Sequence, residues 1–447
     1  MKLLERKYYK KNLQLALPII IANLGQATVG IIDNIMVGQL GALELAAASL
    51  ATIILHNVLV FGIGIATSLT PLTGELFATG SYKKAASLFQ NSLLLNIVIG
   101  LILSVGMYYA TPLFYLMGQP EGVVVMAESY FKIISLSIFP FLAFLAFKQF
   151  MEGIGNTKVS MSITIISNIL NIVLNYLLIY GKFGFPQMGV NGAAVATLIS
   201  RIFMPIAFYI YFRSHNSLKR YFNFFAKRNM RLQSQKMLLA VGLPISGQIT
   251  VEVFALSVTA IYMGWISTES LAANQIALSI CSAMFQVVLG ISGAVTILTS
   301  HAFGAKNRTD IKNYTYAGMQ MSSLFMLCGA AMFIFLGRYI AMAYTDDLAV
   351  IDIATKVFYV IALFEFSDGM QVTILGALRG LKDVQKPMIF ALISYLFINV
   401  PVAYFFGFTL GFGEMGIWFG FFIGLTTAGI QFFIRFRKIV NSSGLFE

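Results

Sequence analysis

The chain predicts an all-α polytopic membrane protein: twelve transmembrane helices in two six-helix bundles, related by a pseudo-twofold axis along the membrane normal. Three observations predict it. A mean hydropathy of +0.81 with only 11% charged residues cannot clothe a soluble surface of 447 residues. Apolar runs of about 20 residues or more, enough to cross some 30 Å of hydrocarbon as helix, recur along the whole length between short polar connections. The second half of the chain also repeats the first.

In the first half the apolar runs cover 13–37, 45–78, 91–112, 125–151, 159–181 and 190–212. In the second they cover 237–264, 271–302, 315–338, 349–378, 387–410 and 415–437. A basic segment precedes the first run and no small-residue cleavage site follows a short core, so this run reads as a retained span. Cys281 and Cys328 both fall inside runs and read neither as a disulfide framework nor as a metal site.

Charge alternates with topology. Lys2, Arg6, Lys7, Lys10 and Lys11 come before the first run, Lys83 and Lys84 after the second, and Lys158 after the fourth. Seven basic residues lie from Arg213 to Lys236, then come Lys306, Arg308 and Lys312, then Arg379, Lys382 and Lys386, then Arg435, Arg437 and Lys438. The intervening connections carry Glu44, Glu121, Glu269, Asp346, Asp347 and Glu414, with Lys182 and Arg338 as exceptions. The positive-inside rule therefore places both termini in the cytoplasm, and this distribution excludes nucleic acid as the reason for the net charge of +12.

At an offset of 226 residues Pro18 falls on Pro244, Gly38 on Gly264, Ala46 and Ala47 on Ala272 and Ala273, and Phe77 on Phe303. At 227, Gly153 meets Gly380, and Met188 and Gly189 meet Met415 and Gly416. Each half holds an even number of spans, which makes this a parallel repeat. The expected organisation is an N-terminal bundle over 1–212, a cytoplasmic basic linker over 213–236 and a C-terminal bundle over 237–447. Two such bundles with a cleft between them can rock to open it alternately to each side.

An ionisable side chain inside hydrocarbon costs roughly 2.5 to 3.5 kcal/mol even on lenient scales, so it needs a reason to be there. Glu252 and Asp368 lie deep inside the seventh and tenth runs and read as ion-handling groups of a transporter. Helical spacing puts Asn23, Gln26, Gly30 and Asp33 on one face of the first span, and Asn168, Asn171 and Asn175 on one face of the fifth. Gln26, Asn171 and Asn175 would give the N-terminal bundle a polar lining around Asp33. The bland alternative for these amides is interhelical hydrogen bonding, worth roughly 0.6 to 2 kcal/mol each. In the C-terminal bundle the polar faces are Gln248, Glu252 and Thr259 on the seventh span, Gln275, Ser279, Ser282 and Gln286 on the eighth, and Glu365, Asp368 and Gln371 on the tenth. A structural ion pair is the rival reading for each carboxylate, and the clearest deep basic residue, Arg201, belongs to the other half.

Gly153, Gly155, Asn156 and Lys158 lack the terminal Lys-Ser/Thr of a phosphate loop, which excludes ATP drive. His56, His215 and His301 lack metal-ligand spacing, and no Ser/His/Asp or paired-acid arrangement suits an enzyme. The 60 Phe and Tyr residues could line a pocket for a flat cation, although most serve packing or lipid contact.

The segment LALPIIIANLGQATVGIIDNIMVGQLGALELAAASLA resembles the opening helix of the MATE family, the multidrug and toxic compound extrusion transporters. So do EGIGNTK, the N-x-x-x-N pair with MGVNGAAVAT, LAANQIA, and FSDGMQVTILGALRGLKDVQKP, in the right order along the chain. The glutamate of span seven with the FSD aspartate resembles the NorM-like branch. Asn175 stands where the archaeal and DinF-like branch is expected to carry an aspartate.

The resemblance implies a secondary active antiporter of the plasma (inner) membrane that exchanges organic, often cationic, drug-like compounds for inward Na+ or H+. It implies Glu252 and Asp368 as coupling carboxylates, with sodium there as the leading option, and Asp33 as the N-terminal carboxylate. No cofactor beyond the coupling ion is expected, no partner beyond substrate and membrane lipid, and the working unit is expected to be a monomer. The rival within transport is a lipid-linked oligosaccharide flippase of the same superfamily, which would need a more basic cleft. The rival from another class is a membrane-embedded transferase.

Overall fold

The computed structural model describes residues 4–226 and 229–446, so Lys2, Lys227 and Arg228 of the basic segments lie outside the described residues. Among the described residues all regular structure is helical. The twelve long elements are α1 (Arg6–Gly38), α2 (Ala42–Ala78), α3 (Tyr82–Tyr109), α4 (Glu121–Gly153), α5 (Thr157–Tyr180), α6 (Val190–Ser214), α7 (Leu232–Ile266), α8 (Thr268–Gly304), α9 (Arg308–Met342), α10 (Leu348–Gly380), α11 (Gln385–Thr409) and α12 (Gly413–Asn441). Eleven are apolar enough over a membrane-length window to be candidate spans by composition alone; α10, which carries Glu365 and Asp368, is not among them. At 33 residues it is nevertheless long enough to cross, at about 1.5 Å per residue.

Local chemistry sets the helix ends. Asn156, Ser267, Asn307 and Asp347 each accept a hydrogen bond from a backbone N–H in the first turn of α5, α8, α9 and α10. α2 is interrupted at Ser68 and α4 at Ser137, where each hydroxyl donates to a carbonyl three residues back, a substitute bond that bends helices. α11 is widened into π-helix over Leu392–Asn399, just before Pro401.

The contacts form two compact units, Ile21–Ser246 and Gly247–Glu447 together with Met1–Ile20. The sequence expectation places a linker at 213–236 between bundles over 1–212 and 237–447; by contacts the chain divides inside α1 and inside α7. Both divisions follow two residues after an in-helix proline, Pro18 and Pro244, which cannot donate the helical hydrogen bond at its position. Close approach explains which side each half-helix joins. In the N-terminal unit Ser246 donates to the Phe61 carbonyl, and the backbone of Ser246 lies 2.5 Å from where a Cβ on Gly64 would be. In the C-terminal unit the Ile20 nitrogen lies 3.0 Å from such a position on Gly290, and Ala16 packs against Ile291 and Ala294. Position 64 plus the repeat offset is position 290, so both units receive the first half of a helix by the same contact.

The repeat extends to individual turns. Thr79, Gly80 and Ser81 donate to the carbonyls of Glu75, Phe77 and Leu76, and Ala305, Lys306 and Asn307 donate to those of His301, Phe303 and Ala302. The turn at Ile154, Gly155 and Asn156 is likewise reproduced at Leu381, Lys382 and Asp383.

Candidate functional site

In the C-terminal unit, α7 and α10 bring Glu252, Glu365 and Asp368 to one cavity of about 100 Å³. Cys281 and Ser282 of α8, Phe364 of α10 and Trp418 of α12 are among the other residues that line it, so of the polar face expected on α8 only Ser282 reaches the cavity. Glu365 is buried, Glu252 and Asp368 partly so, and the Glu365 Oε2 atom is buried without a hydrogen-bond partner. None of the three carboxylates forms an ion pair among the described residues. A buried carboxylate left in that state draws a cation or a proton to itself.

Around this cluster the polar groups are ordered by one another. Gln371 donates from Nε2 to the Tyr395 hydroxyl at 2.7 Å, and both residues are fully buried. The charges of Glu252 and Asp368 act on Tyr395, which lies in the π-helical part of α11. Arg379, at the end of α10, donates from Nη2 to Gln248 Oε1 at 3.0 Å, while its buried Nε has no partner. Its charge acts on Glu252, four residues along α7 from Gln248, without forming an ion pair.

Gln248, Gln275, Ser279 and Gln286 lie outside the cavity lining. Gln248 is engaged by Arg379, and Gln275 and Ser279 are exposed on a different stripe of α8 from Cys281. Arg379 and Tyr395 escaped the sequence reading. Arg379 reads as one more positive charge in a cytoplasmic connection, and Tyr395 as one aromatic among many. The spacing from Asp368 to Arg379, eleven residues or about three turns, is the signal that could have placed Arg379 on the Asp368 face.

The N-terminal unit gathers a different set. Asn175 donates from Nδ2 to Asp33 Oδ1 at 2.5 Å and to Asn171 Oδ1 at 3.3 Å, and Asn171 donates onward to Thr197. Arg201 faces the same region. Its Nη1 donates to Ser137 at 2.8 Å, its guanidinium lies 4.7 Å over the Phe141 ring, and its charge acts on Asp33 and on buried Tyr130. Gln26 is partly buried on α1, and a Cβ on neighbouring Gly25 would meet the Asn168 side chain at 3.0 Å, which fixes α1 against α5. Among the described residues no group of three or more His, Cys, Asp or Glu is arranged to hold a metal ion.

The MatE family profile matches the chain twice, over residues 18–177 and 244–405, together more than half its length. The chain is a member of the MATE family. Its two matched stretches begin 226 residues apart, at Pro18 and Pro244, the internal repeat seen above. A probable multidrug resistance protein NorM from Rhizobium meliloti is 32% identical over 439 residues, with 97% of this chain and 94% of the relative aligned. The multidrug resistance protein NorM of Photobacterium profundum is 29% identical, covering 99% and 98%. In fold, the chain matches a MATE transporter from Vibrio cholerae with a TM-score of 0.89 at 18% identity, covering 98% of both chains. A MOP-superfamily transporter from Pyrococcus furiosus matches with a TM-score of 0.86 at 22% identity, covering 98% and 97%. The resemblance to MATE proteins and to the NorM-like branch is thus borne out, and with it the all-α, two-lobed membrane fold. MATE proteins are transporters rather than enzymes.

Proposed function

We propose that this MATE protein is a multidrug efflux antiporter of the plasma (inner) membrane, with both termini cytoplasmic, that exports organic, often cationic, compounds in exchange for Na+ or H+. The observation that carries the reading is the cavity holding Glu252, Glu365 and Asp368 without an ion-pair partner. Pockets for drug-sized molecules run to about 300–1,000 Å³. At about 100 Å³ this cavity suits a small cation with little water, so it is the coupling-ion site, and of a drug only a charged group would reach it. Its acidic wall also disfavours a diphosphate cargo.

Coupling follows from charge. An empty cluster of carboxylates is costly to occlude in lipid, so the transporter changes sides readily only after a proton, a sodium ion or a cationic drug has neutralised it. A membrane potential of 100 mV offers about 2.3 kcal/mol per charge, but a one-for-one exchange of monovalent cations cancels it, leaving the ion gradient as the drive. Dye efflux from vesicles under separately imposed sodium and proton gradients tests this. Acceleration by the sodium gradient is expected, acceleration by protons alone reassigns the ion, and efflux indifferent to both gradients ends the antiport reading.

A further inference from the structure

Two connections that the repeat makes equivalent differ in what lies at the start of the next helix. The turns after α2 and after α8 share their hydrogen bonds, with φ of +67° at Gly80 and +54° at Lys306. After the second turn, α9 begins with its own anion in place. Asn307 Oδ1 accepts from the Asp310 N–H, and the Asp310 carboxylate accepts from Asn307 Nδ2 and from the Tyr8 hydroxyl, both at 3.0 Å. After the first turn, α3 begins with no side-chain cap, and Lys84 stands where the offset of 226 puts Asp310.

The N-terminal corner opens into a cavity of about 540 Å³ lined by Lys83, Lys84 and Arg220 and, among the described residues, by no carboxylate. Aromatic rings hold two of these cations in place. The Arg220 guanidinium lies 4.1 Å over Tyr82 and the Lys83 ammonium 5.8 Å over Phe224. The wall they stand on is fixed. The short helix Asn216–Asn223, which carries Arg220, buries Leu218 and Tyr221. Beyond it Gln90 exchanges two hydrogen bonds with the Ala226 backbone, and Asn91 binds the Asn229 carbonyl and the Arg231 N–H. The corner thus presents two ring-held positive charges, a third on Lys84 and the positive end of a helix dipole, with no carboxylate among the described residues that line it.

We propose that this corner binds a phosphate group, supplied by the headgroup of an anionic phospholipid. The turn joins two candidate spans on the side that the positive-inside rule makes cytoplasmic, where each Lys or Arg near the membrane surface adds to the attraction of anionic lipid. An amphipathic helix with a basic outer face is the usual companion of such a site. The inference does not depend on which ion drives transport.

The test uses the full-length protein in detergent, titrated with phosphatidylglycerol, phosphatidylcholine or inorganic phosphate, reading the thermal midpoint and the phospholipid phosphorus retained per protein. Phosphatidylglycerol should be retained and raise the midpoint, and phosphatidylcholine should not. The combined Lys83→Gln, Lys84→Gln and Arg220→Gln substitutions should weaken phosphatidylglycerol binding at least about tenfold. Lys84→Asp, which installs the carboxylate found at the equivalent corner, should weaken it similarly while the lipid-free midpoint stays level or rises, which separates lost binding from lost folding. A midpoint rise with inorganic phosphate equal to that with lipid would assign the site to free phosphate. Unchanged phosphatidylglycerol affinity in both variants, or no response of the parent protein to either anion, overturns the proposal.

Discussion

The two units share turns, half-helix exchange and packing contacts, yet they spend their buried charge in opposite ways. In the C-terminal unit Glu252 stands where the repeat puts Gln26 of the N-terminal unit, and Thr259 stands where it puts Asp33. Near the end of α4 the N-terminal unit carries the buried pair Lys148 and Glu152, 3.8 Å apart, whereas the position equivalent to Glu152 in the C-terminal unit is Arg379. One unit therefore holds a single site carboxylate whose Oδ1 already accepts from Asn175. The other holds three carboxylates around one cavity, with Arg379 bonded to Gln248 one turn along α7 from Glu252. The two units share backbone contacts that tolerate no side chain, while polar positions facing the interior differ, and the difference gathers the cavity carboxylates in one half.

The largest effect should come from the C-terminal carboxylates. Asp368→Asn and Glu252→Gln should each abolish ion-driven dye efflux in vesicles while the protein still reaches the membrane at parental abundance. Normal efflux by either variant removes that residue from the coupling mechanism. Asp33→Asn should be milder, slowing efflux severalfold, because its carboxylate already has a charge-assisted partner in Asn175, a bond worth about 1.5–3 kcal/mol. Should Asp33→Asn abolish transport while Asp368→Asn spares it, the division of labour between the units is the reverse of the one drawn here.

Arg379 sharpens the comparison from the other side. A fixed positive charge acting on Glu252 opposes any cation that binds there, so Arg379→Met should lower the sodium concentration giving half-maximal exchange by severalfold. The Gln248 side chain loses its donor in that variant, a cost of about 1–3 kcal/mol that a thermal midpoint would register. A higher sodium requirement would mean that Arg379 organises the ion site through Gln248 and does not compete with the ion.

Much of this was legible in the sequence because it rests on periodicity. Span number, the twofold repeat, and the clustering of Glu252 with Asp368 all follow from runs of apolar residues and from acids that hydrocarbon cannot solvate. What escaped depends on contacts that no period encodes. The exchange of half-helices needs Gly64 and Gly290 to admit a neighbouring backbone, and two glycines among 38 carry no mark of that use. Gln275 and Ser279 share a stripe with polar neighbours, but helix rotation turns the Cys281 side of α8 toward the carboxylates. In the sequence Arg379 reads as a charge that reports topology, whereas its place on the Asp368 face is the informative property.

The smallest expected effect concerns the corner that closes on itself. Asp310→Ala removes the first-turn carboxylate of α9 together with its bonds from Asn307 and Tyr8, and should cost about 1 kcal/mol of stability, the usual worth of such a terminus. Efflux should stay near parental, because α9 is anchored independently by Tyr8 packed edge-on against Tyr314 at 5.1 Å and by Asn12 donating to the Tyr314 carbonyl. The same substitution should also bring the C-terminal corner closer to the N-terminal one, with Lys306 and Arg308 beside a first turn that keeps its Asn307 cap but has lost its carboxylate. If retained phosphatidylglycerol then rises in Asp310→Ala, the absence of a built-in anion is what makes such a turn receptive. If it does not, the aromatic rings that hold Arg220 and Lys83 are needed as well, and the two corners differ by more than one carboxylate.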